Sequence, residues 1–254
     1  MTMKKLLLIL ALALPLAAQE PNYAEWNRIL KTYYDPAHGM DYAALKAKDA
    51  SALQNLRQQL GRANVAAMTP KQQLAYWINV YNVNSVATVV EGYPVASIRD
   101  LSTDLLIRLN VFKKERVPVG NTTISLDDVE NKKIREVFHD PRIHFAINCS
   151  AKSCPPIRTE AYVGANVDAQ LDDQARRFLN GPLGVRLAQD GDELDIHVTK
   201  IMDWFGDDFQ TFPGGRLGFL KKYISADKLR TLNAAREIDW EYDDYDWALN
   251  DWKR

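Results

Sequence analysis

Asp140-Pro141-Arg142-Ile143-His144-Phe145-Ala146-Ile147-Asn148-Cys149-Ser150-Ala151-Lys152-Ser153-Cys154-Pro155-Pro156 is the stretch on which the fold reading turns. It carries both cysteines of the chain and one of its four histidines. A short apolar run bounded by turn residues predicts a buried strand over 142–149. Side chains alternate across a strand, so His144, Ala146 and Asn148 would share one face. Phe145, Ile147 and Cys149 would share the other. Cys154 follows a polar turn and is free to fold back towards either face.

Upstream, the strongest signal is a helix over 70–91. Thr69 is its N-cap, Pro70 its first residue, and Gln72 completes a capping box. Gly92 and Pro94 stop it. Leu74, Ile78 and Val86 are expected in the core, with Phe145 and Ile147 of the strand. Asn79, Asn82 and Asn84 interrupt this apolar helix. Buried amides need partners, so they either tie the helix to a neighbouring loop or line a cleft.

Further out, residues 21–60 read as helices broken at Asp35-Pro36-Ala37-His38-Gly39. Val111–Val119 and Thr122–Leu126 read as a hairpin around Gly120-Asn121. Ser125 and Asp128 form a second capping box, opening a helix to about Val137. Beyond the Cys-Pro-Pro turn come a helix at 167–179 and strands at 185–188 and 193–201. Helices at 215–224 and 226–235 and a strand at 238–242 complete the chain. The fold class is α+β in a single domain over 19–254. Its N-terminal helices and central helix are expected to pack on a mainly antiparallel sheet.

The balance is that of a globular chain: 46% hydrophobic, 26% charged, net charge −1. Such a charge excludes general nucleic-acid binding, which needs a basic footprint. Lys4 and Lys5, the apolar run Leu6–Leu16 and the small residues Leu16-Ala17-Ala18 predict a signal peptide over 1–18. The protein is then exported, periplasmic or secreted, with no stable membrane span after cleavage. Export permits disulfides.

The chain resembles the family called domain of unknown function 547. The resemblance rests on HFAINCSAKSCPP, AYWINVYN (75–82), TISLDDVENKKIR (123–135), KIMDWFGDDF (200–209) and YDWALN (245–250). It implies membership without implying an activity. Many members carry His where this chain has Asn131. A long helix followed by strands is also similar to the papain and transglutaminase-like superfamily, although there the cysteine usually starts the central helix.

Three chemistries compete for His144, Cys149 and Cys154. Two cysteines close in sequence in an exported chain suit a disulfide. Alternatively, Cys154 is a nucleophile with His144, or more remotely His197, as its base, oriented by Asn82 or Asp208. His-x4-Cys-x4-Cys is not a standard zinc spacing and lacks an evident fourth ligand, so no metal or cofactor is expected. Asn79, Cys149, Trp204 and Trp247 are expected to bind a small-molecule or peptide ligand at the same cleft. The two function classes are a thiol-dependent hydrolase or acyltransferase acting on amide or ester bonds of the cell envelope, and a non-enzymatic envelope scaffold with a structural Cys149–Cys154 bridge.

Overall fold

The computed structural model describes residues 20–102, 110–190 and 193–253. The expected signal peptide lies outside them. The described chain is an α+β fold whose helices and small sheets share one body.

Two helices open it, α1 (Ala24–Tyr33) and α2 (Tyr42–Gly61). The predicted break between them is a tight hairpin of β1 (Tyr34–Asp35) and β2 (Gly39–Met40). The central helix α3 (Pro70–Gly92) starts on the predicted Thr69–Gln72 capping box. Its residues are buried almost without interruption from Leu74 to Val90. A helix apolar all round must be enclosed on every side. Here α2, the 129–135 segment and α6 (Val167–Asn180) supply the enclosure.

The hairpin around Gly120-Asn121 is shorter than its sequence pattern suggests. It consists of β3 (Val117–Val119) and β4 (Thr122–Ile124), and Val111–Lys113 form a 3-10 turn. The Ser125–Asp128 capping box opens α4 (Leu126–Asp128) as predicted. The chain then widens into a π-helical segment, Val129–Arg135, before α5 (Glu136–Phe138).

The predicted strand over 142–149 is not there. Pro141–Phe145 form a 3-10 helix, and residues 146–150 run on as an irregular turn. The Asp140 carboxylate accepts from the Arg142 amide at 3.0 Å, capping the turn, and Pro141 occupies its first position. Proline after a capping Asp is a helix start, not a strand start. The apolar alternation survives for another reason. Ile143 and Ile147 enter the core formed by the N-terminal helices and α3, whereas Phe145 enters a second core. All five expected core residues are buried.

The second core surrounds a three-stranded sheet of β5 (Arg186–Asp190), β6 (Glu193–Val198) and β7 (Glu237–Tyr242). β5 pairs antiparallel with β6, and β7 pairs parallel to it; with the two hairpins also antiparallel, the strand pairing of the described residues is mainly antiparallel, as expected. The crossover holds α7 (Ile201–Trp204), α8 (Gly206–Gln210), α9 (Gly215–Tyr223) and α10 (Ala226–Ala234). Helix α3 therefore packs mainly on helices, and the three-stranded sheet belongs to the other half. Helix α6 joins the halves, with Leu171 in the first core and Phe178 in the second.

The segment after β7 returns to the first half. Asn250 and Trp252 bracket Met40 by backbone hydrogen bonds at 2.9 Å each. Leu249 bonds to Ala96 at 2.8 Å, and Lys152 bonds to Ala248 at 2.8 Å. Gly39 permits this approach: its φ is +102°, and a Cβ there would lie 2.0 Å from the Asn250 carbonyl oxygen. No helix among the described residues is long and apolar enough to cross a membrane.

Candidate active site

The turn carrying His144 and the cysteines is held by α3. Asn82 Nδ2 donates to the Ala146 carbonyl at 2.9 Å, and its Oδ1 accepts from the Asn148 amide at 2.8 Å. One amide side chain thus supplies the two hydrogen bonds that a neighbouring strand would have given. Asn79 treats Tyr162 the same way, at 2.7 Å and 3.0 Å. Asn84 binds the buried Arg57 guanidinium. Neither Asn79 nor Asn82 is placed as the expected cleft residue or histidine partner, because both amides are used on backbone. Replacing Asn82 with Ala strands two buried backbone groups and is expected to cost about 2–4 kcal/mol of stability, read from urea melts. Asn82→Asp is expected to recover only the acceptor half.

Asn148 continues the network. Its Oδ1 accepts from the Ser150 amide at 2.8 Å, and its Nδ2 donates to the Pro155 carbonyl at 2.7 Å. The turn so formed places the Cys149 and Cys154 sulfurs at disulfide distance, 2.16 Å, with Cα atoms 6.2 Å apart. Cys154 Sγ also accepts from the Cys149 amide at 2.9 Å and from the Tyr245 hydroxyl at 2.9 Å. Cys154 is therefore joined to Cys149 and not directed at His144. Unreduced protein is expected to titrate no thiols, and reduction to release two. The short loop closed by the bridge predicts a stability loss of about 2 kcal/mol on reduction.

His144 points into the opposite half. Its ring stacks on Phe205 with centroids 4.1 Å apart, and Nε2 lies 2.7 Å from Asp208 Oδ2. Arg135 holds the same carboxylate with two bonds, Nε at 2.7 Å and Nη2 at 3.0 Å. Burial drives the His144 pKa down despite Asp208, so the imidazole is neutral at pH 7. Burial alone would raise the Asp208 pKa, but the bonds from His144 and Arg135 outweigh it and hold the carboxyl far below its usual range. A carboxylate facing Nε2 fixes the tautomer with the proton on that nitrogen, leaving Nδ1 as the basic one. Of the two expected orienting groups, Asp208 makes the contact.

A cavity of about 340 Å³ collects these groups. His144, Cys149 and Cys154 line it, as do Trp204 and Trp247. So do three residues of the π-helical segment: Asn131, where many family members carry His, and Glu130 and Arg135, which the sequence does not single out. Single π turns recur at functional sites because they re-aim side chains. Here Arg135 Nη1 donates to Asn131 Oδ1 at 2.5 Å, which leaves the Asn131 amide nitrogen for other partners. Burial pushes the Glu130 pKa up to about 7, against the opposing pull of Arg135 and the Tyr81 hydroxyl. Tyr81 comes from α3 and lies on the cavity wall. The opposite wall is aromatic, with Trp204, Tyr245 and Trp247 in mutual contact at 4.7–5.9 Å.

His38, His139 and His197 stand apart from this cavity. His38 and His139 are exposed. His197 lies on the partly exposed face of β6, in register with Arg186. Among the described residues, no cluster of three or more His, Cys, Asp or Glu side chains could hold a metal.

The molecule is thus an α+β protein with an aromatic cavity, bordered by the cysteine pair, whose lining includes both the Glu130 carboxyl and a carboxylate-held imidazole. Residues 65–179 match the family described as "Protein of unknown function, DUF547", which supports the family assignment that the motifs imply. The matched segment includes α3, the π-helical residues and the cysteine turn, while Asp208 and the aromatic wall lie beyond it. No curated protein and no solved structure matches the chain, and the papain and transglutaminase-like expectation is not confirmed.

Proposed function

We propose that the protein is a hydrolase of amide or ester bonds, working outside the cytoplasm by acid–base catalysis in the Glu130–His144 cavity. The carrying observation is that the Glu130 carboxyl and an imidazole held by Asp208, itself held by Arg135, line one pocket. A general base works best with a pKa near the working pH, and burial brings Glu130 there. In this reading ionised Glu130 takes a proton from water as the water oxygen bonds to the substrate carbonyl carbon. The Asn131 amide donates to the developing oxyanion. Collapse of the tetrahedral species breaks the bond to the amine or alcohol, which leaves with the proton from Glu130. The products are a carboxylic acid and the free amine or alcohol, and His144 assists through Nδ1. An alcohol or amine in place of water would make the same site an acyltransferase.

The assay is hydrolysis of a panel of aryl esters and anilides by the full chain. Glu130→Gln and His144→Ala are each expected to lose at least 100-fold in kcat/KM, within the usual range for acid–base groups of about 10²–10⁴. No turnover by the wild type, or equal turnover by both variants, would overturn the reading.

A second reading retains Cys154 as nucleophile in a reduced form. The Cys149 amide and the Tyr245 hydroxyl both donate to Cys154 Sγ, and such donors would stabilise a thiolate. Iodoacetamide labelling after mild reduction tests it: faster alkylation of Cys154 than of Cys149, slowed in Tyr245→Phe, supports it. Equal slow rates remove it. Export is tested separately by N-terminal sequencing of the mature protein, expected to begin at Gln19; a retained Met1 would refute it.

A further inference from the structure

We infer that the ligand of this cavity is a neutral saccharide, stacked on Trp204, Tyr245 and Trp247 and carrying the acyl group that the site cleaves. The inference rests on the hydrolase reading for the cleavage and on the wall alone for the binding. Trp204 is 46% exposed, which is unusual for a tryptophan next to a cavity. It lies 4.8 Å from Tyr245 and 5.9 Å from Trp247, ring centre to ring centre. Exposed rings that border a pocket offer an apolar face to a ligand that is itself partly apolar. The C–H face of a pyranose is such a surface, and its rim of hydroxyls needs donors and acceptors. Asn110, Asp127 and Asn131 line the same cavity and can supply them.

The charges decide between ligand classes. Aromatic walls also attract cations. Here, however, the Arg99 guanidinium already lies over Trp247 at 5.0 Å, and Arg135 lies over Phe205 at 4.7 Å. A cationic ligand would meet both. An anionic ligand would meet Asp127 and Glu130 on the cavity wall, while Arg135 is committed to Asp208. A neutral polyhydroxyl ring meets neither penalty. It uses the aromatic faces and the polar rim together.

The test is binding to the full-length oxidised protein, measured by isothermal titration and tryptophan fluorescence. The probes are the tetramer of β-1,4-linked N-acetylglucosamine, cellotetraose, tetramethylammonium and succinate. Saturable binding of at least one tetrasaccharide is expected, with neither ion competing. Trp204→Ala is expected to weaken it about tenfold, the upper end for one aromatic contact, and Trp204→Tyr to restore most of the loss. Trp204 is exposed, so neither substitution threatens the fold. Glu130→Gln should still bind the sugar, which separates the two readings. Sugar binding without hydrolysis of any acylated sugar would sink the hydrolase and keep the saccharide site. Ester hydrolysis without sugar binding would do the reverse. Absence of sugar binding, preference for either ion, or sugar binding indifferent to Trp204→Ala overturns the inference.

Discussion

Glu130→Gln is expected to inactivate the protein and stabilise it in one step. Burial raises the folded-state pKa of Glu130 to about 7, from the ordinary glutamate value near 4.5. A raised folded pKa means that the native state holds the proton more tightly than the unfolded chain. The resulting stability is fully present below pH 4.5 and is lost as pH rises through 7. At pH 8 the fold therefore carries the cost of an ionised, desolvated carboxylate, about 3 kcal/mol. Gln removes that cost. Urea melts at pH 8 should show the variant more stable by about that amount, and melts at pH 4 should show little difference. His144 works in the opposite sense. Its folded pKa is lowered, so its contribution is present above its unfolded pKa and is lost as pH falls below it. With Glu130 neutralised, stability between pH 5 and pH 7 should rise with pH. A variant that is less stable than wild type at pH 8 would refute the charge argument.

The second large effect is expected at Asp208. Its carboxylate serves two donors at once, the Arg135 guanidinium through two bonds and the neutral His144 imidazole through one. Asp208→Ala leaves the Arg135 charge unpaired and frees the imidazole to turn or change tautomer. Removing one partner of a buried pair costs about 3–5 kcal/mol, and the partial exposure of this one points to the lower end. Activity should fall by roughly 10²–10⁴, because a misoriented base loses its share of catalysis. Asp208→Asn is expected to recover only part of the stability, because its one amide oxygen can still accept, while the anion that pairs Arg135 and fixes the imidazole is gone. A double cycle with Arg135→Ala should show coupling of about 1–3 kcal/mol. Strict additivity would mean that the two residues do not act as a pair.

These groups were unequally legible in the sequence. The Thr69–Gln72 and Ser125–Asp128 boxes could be read because capping is local chemistry. Asp140-Pro141 carries the same kind of signal. There the alternation of Ile143, Phe145 and Ile147 outweighed it and suggested a strand. The alternation reflects two cores on opposite sides of a 3-10 turn, and the turn depends on Asn82, some sixty residues away in sequence. Asp208 was among the expected orienting groups because carboxylates and aromatics crowd together around it. Glu130 was hidden. Within Asp127-Asp128-Val129-Glu130-Asn131-Lys132-Lys133 it looks like one more solvated charge, and nothing in that run announces a π turn that redirects it inward.

The 245–252 segment adds a consequence for biosynthesis. It is made after every other part of the cavity, yet Tyr245 sits on both sulfurs and Trp247 completes the wall. A growing chain that has already folded its helical half therefore lacks the wall that Tyr245 and Trp247 supply to the pocket. During that interval the cysteine turn lacks the backbone bonds from Ala248 and Asn250 that later hold it. Oxidants and disulfide-exchange catalysts have their widest access to Cys149 and Cys154 then. Once the segment docks, it shelters the bridge and finishes the site in the same motion, so competence arrives only after residues 245–252 are in place.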